Sequence, residues 1–167
     1  SDVYKRQPPR FKGMTVRQLL SLAAGGTLDD KTCCALLSSV GLCAKEYIDR
    51  EADATLSGGE MKRIEIATVL AKDHKVCVFD EPEAGIDLWS FSMLIKRFEQ
   101  IHREKKQSLI LISHQERIIR MADRIMVIGD GKVEAVGTAD EIIPTLFGTK
   151  PESCGCRKQK GGELYEC

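Results

Sequence analysis

The sequence predicts an α/β fold, with a mostly parallel sheet that ends in an antiparallel hairpin and a helical region in front of it. In the second half of the chain, short apolar runs alternate with amphipathic segments of helical period, which is typical of parallel sheets. The Gly129-Asp-Gly131 turn between two such runs is a strong hairpin signal. The first 55 or so residues contain no run of this kind, so we expect an inserted helical lobe there.

Three helices are predicted before the first strand. Each begins at a side chain that can accept hydrogen bonds from backbone amides, and the first two end at glycine. Apolar residues recur at helical spacing within each of them. The predicted segments run from Thr15 to Gly25, from Asp29 or Asp30 to Gly41, and from about Gly58 to Lys72.

The second half contains four predicted strands and three predicted helices. Two continuous apolar runs, 76–79 and 109–112, are typical of strands buried on both faces. The hairpin strands and the helices follow from apolar period and turn residues. The predicted hairpin strands are 125–128 and 133–136, and the predicted helices are 88–103, 115–121 and 139–146.

Composition excludes several classes of protein. With 43% hydrophobic and 30% charged residues, a chain of 167 residues can fill one ordinary core, unlike a disordered or fibrous protein. Lys plus Arg and Asp plus Glu are each 25, so no net charge attracts the chain to nucleic acid, and we expect no nucleic-acid partner. No apolar run approaches the roughly 18 residues of a membrane span. The odd count of seven cysteines predicts reduced thiols in a cytoplasmic protein.

The two ends differ in character from the rest of the chain. Residues 1–7 resemble translated sequencing-adapter read-through, and we interpret them as non-native; the alternative is a polar natural terminus. Residues 8–148 then form one partial domain, helical over 8–73 and α/β over 74–148. Residues 149–167 are predicted to be a disordered tail. The tail thiols, which are either free or metal-bound, belong to Cys154, Cys156 and Cys167.

The run Leu56-Ser-Gly-Gly-Glu60 stands at the start of the long predicted helix. Ser57 and Glu60 match a capping box, so one interpretation is a well-capped helix and nothing more. A cap does not need two glycines, which cost helix stability but leave amides free and allow close approach of another surface. Amides, a hydroxyl and the positive end of a helix dipole favour phosphate. The candidate nucleotide-binding residues are therefore Ser57, Gly58, Gly59 and Glu60.

Asp80 and Glu81 directly follow the first apolar run, which places both carboxylates at the carboxyl end of a strand. Open α/β sheets bind ligands at that end. The first carboxylate can hold Mg²⁺, and the second can polarise a water for attack on phosphorus. A solvated acidic turn is an equally good interpretation of this pair alone.

His114 follows the second apolar run and is placed at the same edge of the predicted sheet. An imidazole there can hydrogen-bond to a γ-phosphate and to the attacking water. Taken alone, a histidine in this position is more often structural.

The order and spacing of these motifs resemble the ATP-binding cassette (ABC) ATPase family, with its RecA-like core and helical signature subdomain. The resemblance covers residues 8–146 and includes a signature motif, a Walker B motif, a D-loop and a switch histidine. It implies that Ser57, Gly58 and Gly59 contact the γ-phosphate of ATP held by a second subunit. It also implies that Asp80 serves Mg²⁺ and that Glu81 is the general base. The D-loop at the dimer interface would be Ala84, Gly85, Ile86 and Asp87, and His114 would be the switch residue.

Members of that family also carry a P-loop, G-x-x-x-x-G-K-[ST], that cradles the ATP phosphates. The Gly131-Lys132 pair of this chain precedes a valine inside the predicted hairpin and does not match. We therefore expect an N-terminally truncated fragment that hydrolyses no ATP by itself. The full-length protein is expected to be an ATPase that acts as a head-to-tail dimer.

The run from Gly58 to Ile66 resembles the SufC-like branch, which assembles iron–sulfur clusters, more than most transporter ATPases. That branch implies a SufB- or SufD-like scaffold as partner. Pro82-Glu83 instead resembles transporter subunits, which bind a membrane permease. A non-hydrolytic binding module that offers only its signature face is a third possibility.

Overall fold

The computed structural model describes residue 11, residues 13–104 and residues 107–148. The segment 1–7 and the cysteine-containing tail 149–167 lie outside the described residues. The chain divides into two compact units, Ser1–Ile118 and Ile119–Cys167. Within the described residues, no helix is long and apolar enough to cross a membrane.

The predicted helical region is confirmed, and its helices begin at the predicted caps. It contains α1 (Val16–Ala24), α2 (Asp30–Ser39), α3 (Ala44–Tyr47) and α4 (Gly58–Leu70). Thr15 Oγ1 accepts a hydrogen bond from the Gln18 amide at 3.3 Å, and Asp29 Oδ1 accepts one from the Thr32 amide at 2.7 Å. Helix α4 packs against α1 and α2, and the short helix α3 was not predicted.

A parallel β–α–β unit follows the helical region. Strand β1 (Val76–Asp80) leads through helix α5 (Leu88–Glu104) to strand β2 (Ser108–Ile112), which pairs with β1 in parallel. The register places Asp80 opposite Ile112, so both strands end at the same edge. The rings of Phe79 and Phe98 lie 5.2 Å apart and join the ladder to α5. The predicted parallel pairing is therefore confirmed.

The prediction that these strands are buried on both faces is wrong for the described residues. In β1, Cys77 and Phe79 are buried, whereas Val76 and Val78 are 53% and 58% exposed. In β2, exposed residues alternate with half-buried ones. Because successive side chains point to opposite faces of a strand, the described residues cover one face of this pair more fully than the other. A continuous apolar run indicates β propensity, but the burial of its side chains depends on what packs against each face of the sheet.

The second unit contains the predicted hairpin. Strands β3 (Ile125–Gly129) and β4 (Lys132–Gly137) are antiparallel, with a bulge between Val127 and Ile128. Asp130 and Gly131 have φ values of 47° and 72°, as a two-residue turn with positive φ at both positions requires. In the described residues this hairpin is a separate two-stranded sheet rather than the edge of the parallel one. The short helix α6 (Glu116–Ile119) precedes the hairpin, and α7 (Ala139–Gly148) follows it and contacts β4.

Candidate functional site

The signature turn is a complete capping box at the start of α4. Ser57 Oγ accepts a hydrogen bond from the Glu60 amide at 3.3 Å, and Glu60 Oε2 accepts one from the Ser57 amide at 2.6 Å. Ser57 and Gly58 are exposed. The Ser57 hydroxyl can still donate its proton, and the Gly58 amide lies in the first helical turn, where no intrahelical acceptor is available. The turn can therefore bind an anion while it remains capped.

Glu60 makes a second contact within the chain. Its Oε1 accepts a short hydrogen bond from the Tyr47 hydroxyl at the end of α3. This bond, together with that from the Ser57 amide, lowers the pKa of Glu60 from its ordinary 4.5 to about 2. Both carboxylate oxygens are thus engaged by groups of the chain. The geometry assigns Glu60 to holding the turn, and a direct role in nucleotide binding stays a prediction.

The two glycines of the turn differ in their surroundings. A Cβ on Gly59 would lie 2.4 Å from the Gly85 carbonyl oxygen, a distance that real Cβ atoms essentially never show. A Cβ on Gly58 would meet no atom within 4 Å. The close approach that we expected from this pair therefore exists at Gly59, and the surface that approaches it is the chain's own 84–87 loop.

Arg63, which the sequence reasoning missed, joins the signature turn to that loop. Its guanidinium donates from Nε to the Gly59 carbonyl at 3.2 Å and from Nη1 to the Gly41 carbonyl at 3.0 Å. Nη1 also makes a short hydrogen bond to Ser90 Oγ and lies 3.7 Å from Asp87 Oδ2. The side chain is only 12% exposed. The sequence signal for Arg63 was its position four residues after Gly59 in the predicted helix. Its other acceptors lie up to 27 residues away in the chain.

The 84–87 loop is anchored at both ends. The Ala84 amide donates to the Glu81 carbonyl at 3.0 Å, and the Ile86 amide donates to the Glu83 carbonyl at 3.1 Å. Asp87 caps α5, because its Oδ1 accepts from the Ser90 amide at 2.9 Å. This bond lowers the pKa of Asp87. Ala84, Gly85 and Asp87 are exposed, as a loop that meets another molecule must be.

The second group of candidate residues lies at the carboxyl ends of β1 and β2. The Glu81 amide donates to the Ile112 carbonyl at 2.8 Å and extends the parallel ladder by one bond. His114 Nδ1 lies 3.7 Å from Glu81 Oε1, and the two side chains are 73% and 55% exposed. Glu81 has a φ of 43°, a left-handed conformation that is unusual for glutamate. The structure thus brings the predicted base and the predicted switch histidine together in an open site.

Asp80 presents an exposed carboxylate beside this pair. Its main-chain carbonyl accepts a hydrogen bond from Lys62 Nζ at 3.3 Å. Mg²⁺ is usually held by one or two carboxylates, several waters and the substrate's phosphates. A single accessible carboxylate at the carboxyl edge of the strands fits that pattern. The described residues contain no cluster of three or more metal-ligating side chains, so a closed protein cage for a metal is not present among them.

Glu83 is a further residue that sequence reasoning did not place in the site. It is only 9% exposed, and its Oε1 accepts a short hydrogen bond from the Ser113 hydroxyl. Its Oε2 is buried and has no hydrogen-bond partner among the described residues. Ser113 immediately precedes His114, and Ser113 Oγ also accepts from the Gln115 amide at 3.0 Å. A carboxylate directly after the Glu81-Pro82 pair was the sequence signal, but its partner lies 30 residues further along the chain.

A parallel β–α–β unit with carboxylates and an imidazole at its strand ends places the chain among the α/β proteins, whose open sheets bind ligands at that edge. Comparison with known proteins narrows this class. A family model described as "ABC transporter" matches residues 2–84. An ABC transporter ATP-binding protein of Methanocaldococcus jannaschii is 34% identical over 82% of this chain and 57% of its own length. Over residues 2–84 the chain matches the ABC transporter family, and over most of its length it is similar to an ABC ATPase.

Other relatives and solved structures agree with that assignment. The energy-coupling factor transporter ATP-binding protein EcfA2 of Lacticaseibacillus paracasei is 39% identical over 62% of this chain and 36% of its own length. A dimeric bacterial ABC transporter cassette has the same fold, with a TM-score of 0.70 and 20% identity over 80% of this chain and 60% of that one. The chain thus spans between about one third and three fifths of the length of these proteins. Their names refer to transport, and they do not support the expected SufC-like specialisation.

Proposed function

We propose that this chain is part of the ATP-binding subunit of an ABC transporter, in which ATP hydrolysis drives a membrane component. The transport names of its relatives support this function over the iron–sulfur assembly function that we expected from the run Gly58–Ile66. The observation that carries the proposal is the meeting of Glu81 and His114 at the carboxyl edge of β1 and β2, next to Asp80. A cytoplasmic location remains a prediction that rests on this function.

Each residue at the strand ends has a distinct proposed role. Glu81 accepts a proton from the water that attacks the γ-phosphorus, and its open position gives water access to the carboxylate. His114 hydrogen-bonds to the γ-phosphate and stays within reach of Glu81. Asp80 would hold Mg²⁺, which neutralises charge on the phosphates. The proposed roles of Glu81, His114 and Asp80 do not require their side chains to be buried while no nucleotide is bound.

The signature turn serves a different nucleotide in this proposal. No hydrogen bond or ion pair of the described residues joins Ser57 or Gly58 to Asp80, Glu81 or His114. The exposed turn would therefore bind the γ-phosphate of ATP held by a second cassette, in a head-to-tail dimer. The 84–87 loop, anchored to the same turn at Gly59, would lie in that dimer interface.

The test measures phosphate release from Mg-ATP by the product of the complete reading frame. Removing a general base lowers kcat about 10²–10⁴-fold. Glu81→Gln should therefore lower kcat by at least about 100-fold and prolong ATP-dependent dimerisation, while KM changes little. Glu99→Gln on the exposed side of α5 is the matched control and should keep the unsubstituted rate. Equal phosphate release by Glu81→Gln and the control contradicts the role of Glu81, and no phosphate release by the unsubstituted protein favours a non-hydrolytic binding module.

Co-purification separates the transport function from the SufC-like one. A membrane-spanning partner that co-purifies with the complete protein supports transport. Co-purification of a soluble SufB- or SufD-like scaffold would instead support iron–sulfur cluster assembly. The observation that favours cluster assembly is the sequence of the run Gly58–Ile66. The neighbouring genes provide an independent test: a permease gene supports transport, and a scaffold gene supports cluster assembly.

A further inference from the structure

We propose that Glu83 is a positioning residue that holds His114 beside Glu81 through the hydroxyl of Ser113. The inference rests on the proposed function only for what His114 does there; the contact itself is a matter of geometry. Glu83 is more than nine-tenths buried, and the ordinary expectation for a buried carboxylate is that each oxygen has a partner. Within the part of the chain that the structure describes, only Oε1 has a partner, and that partner is Ser113, the residue next to His114.

The direct contact between His114 and Glu81 is too weak to fix the ring. Both side chains are more than half exposed, and the nitrogen–oxygen distance of 3.7 Å exceeds that of a hydrogen bond. Exposed pairs of this kind contribute little, because solvent screens the charges and two side chains lose rotamer freedom. Something else must therefore hold the loop that carries His114 close to Glu81.

Two contacts join the loops that follow β1 and β2 in sequence. The first is the Glu81 amide to the Ile112 carbonyl, which fixes the backbone at the strand ends. The second is the Ser113 hydroxyl to Glu83 Oε1, one residue further along the second loop. A charge-assisted hydrogen bond in a buried setting is much stronger than an exposed ion pair. Ser113 Oγ in turn accepts from the Gln115 amide, so the same hydroxyl orders the backbone on both sides of His114.

The experiment asks whether the His114 ring senses Glu81. In the 167-residue chain without nucleotide, Glu81→Gln should shift the imidazole Cε1–H resonance of His114 at one fixed pH. The same substitution is then made in chains that carry Glu83→Ala, Ser113→Ala or Glu83→Gln. We expect the two alanine variants to lose most of this response. Glu83→Gln should retain it, because its amide oxygen still accepts the Ser113 hydroxyl.

Controls keep the result interpretable. His114→Gln assigns the resonance among the three histidines, and Glu99→Gln should leave it unmoved. If Glu83→Ala fails to fold by circular dichroism, Ser113→Ala, with Ser113→Thr as the variant that restores a hydroxyl, carries the test. A full response in Ser113→Ala overturns the proposal, and so does the absence of any response in the unsubstituted background. Because no ATP is present, these outcomes are independent of whether the complete protein hydrolyses it.

Discussion

The signature turn and the strand-end site differ in how their polar groups are satisfied. At the turn, Ser57 and Glu60 bond to each other, and Glu60 also bonds to Tyr47 of α3. Arg63 bonds to α5 and pairs with Asp87 of the 84–87 loop. At the strand ends, the Asp80, Glu81 and His114 side chains are exposed, and their one mutual contact is long. A surface that must present fixed amides to a ligand benefits from internal bonds, whereas catalytic groups must keep their own atoms free for substrate and water.

Arg63→Met should have the largest effect on stability. It leaves the Gly41 carbonyl and the Ser90 hydroxyl without the buried donor that they share, which costs about 2–3 kcal/mol of unfolding free energy. Arg103→Met is the matched control, because Arg103 is 75% exposed and pairs with Glu99 of its own helix. This substitution should cost less than about 0.5 kcal/mol. Urea unfolding followed by circular dichroism measures both. Equal losses would mean that the turn is no better anchored than an exposed helix face.

Gly59→Ala tests the contact between the turn and the 84–87 loop. The added Cβ must displace the Gly85 carbonyl, and overpacking of this kind costs about 1–3 kcal/mol. Gly58→Ala is the control one residue away: its Cβ meets open space, and alanine is the better helix former, so stability should rise by up to about 1 kcal/mol. Urea midpoints measure the pair. A loss of stability in Gly59→Ala and a gain in Gly58→Ala would support the contact between the 84–87 loop and Gly59. A gain of stability in both variants would disprove it.

The bonded state of Glu60 predicts a pH dependence of stability. Its folded pKa of about 2 lies below the ordinary 4.5, so its contribution is fully present above pH 4.5 and is lost as pH falls toward 2. Tyr47→Phe removes the bond that lowers this pKa most and should flatten the loss over that window. After allowance for solvent screening, the difference near neutral pH is about 1 kcal/mol. Thermal melts at a series of pH values measure it, and parallel curves for the two proteins would contradict the assignment.

How much the sequence could predict depended on the distance between interacting residues. The capping boxes, the Asp130-Gly131 turn and the strand ends were predictable, because each is set by residues a few positions apart or by strand direction. The exposure of Val76 and Val78 was not predictable, since it depends on what packs across the sheet. Arg63 and Glu83 were missed for the same reason, because their partners Ser90 and Ser113 lie 27 and 30 residues away.

Glu81→Gly is expected to have the smallest effect on stability. The sign of that effect distinguishes the strand-end site from the signature turn. A φ of 43° is costly for glutamate and free for glycine, whereas the exposed side chain contributes little stability, so the substitution should raise stability by up to about 1 kcal/mol. Asp130→Gly in the hairpin turn, where φ is 47°, is the matched control for the same backbone relief away from the site, and a smaller gain is expected because aspartate tolerates this region better. Urea unfolding measures both. A gain in stability at position 81 together with loss of phosphate release in the complete protein would mean that the strand-end site gives up stability to place a carboxylate. Destabilisation at 81 would instead mean that the Glu81 side chain helps to hold the strand ends, as the bonded residues of the turn hold α4.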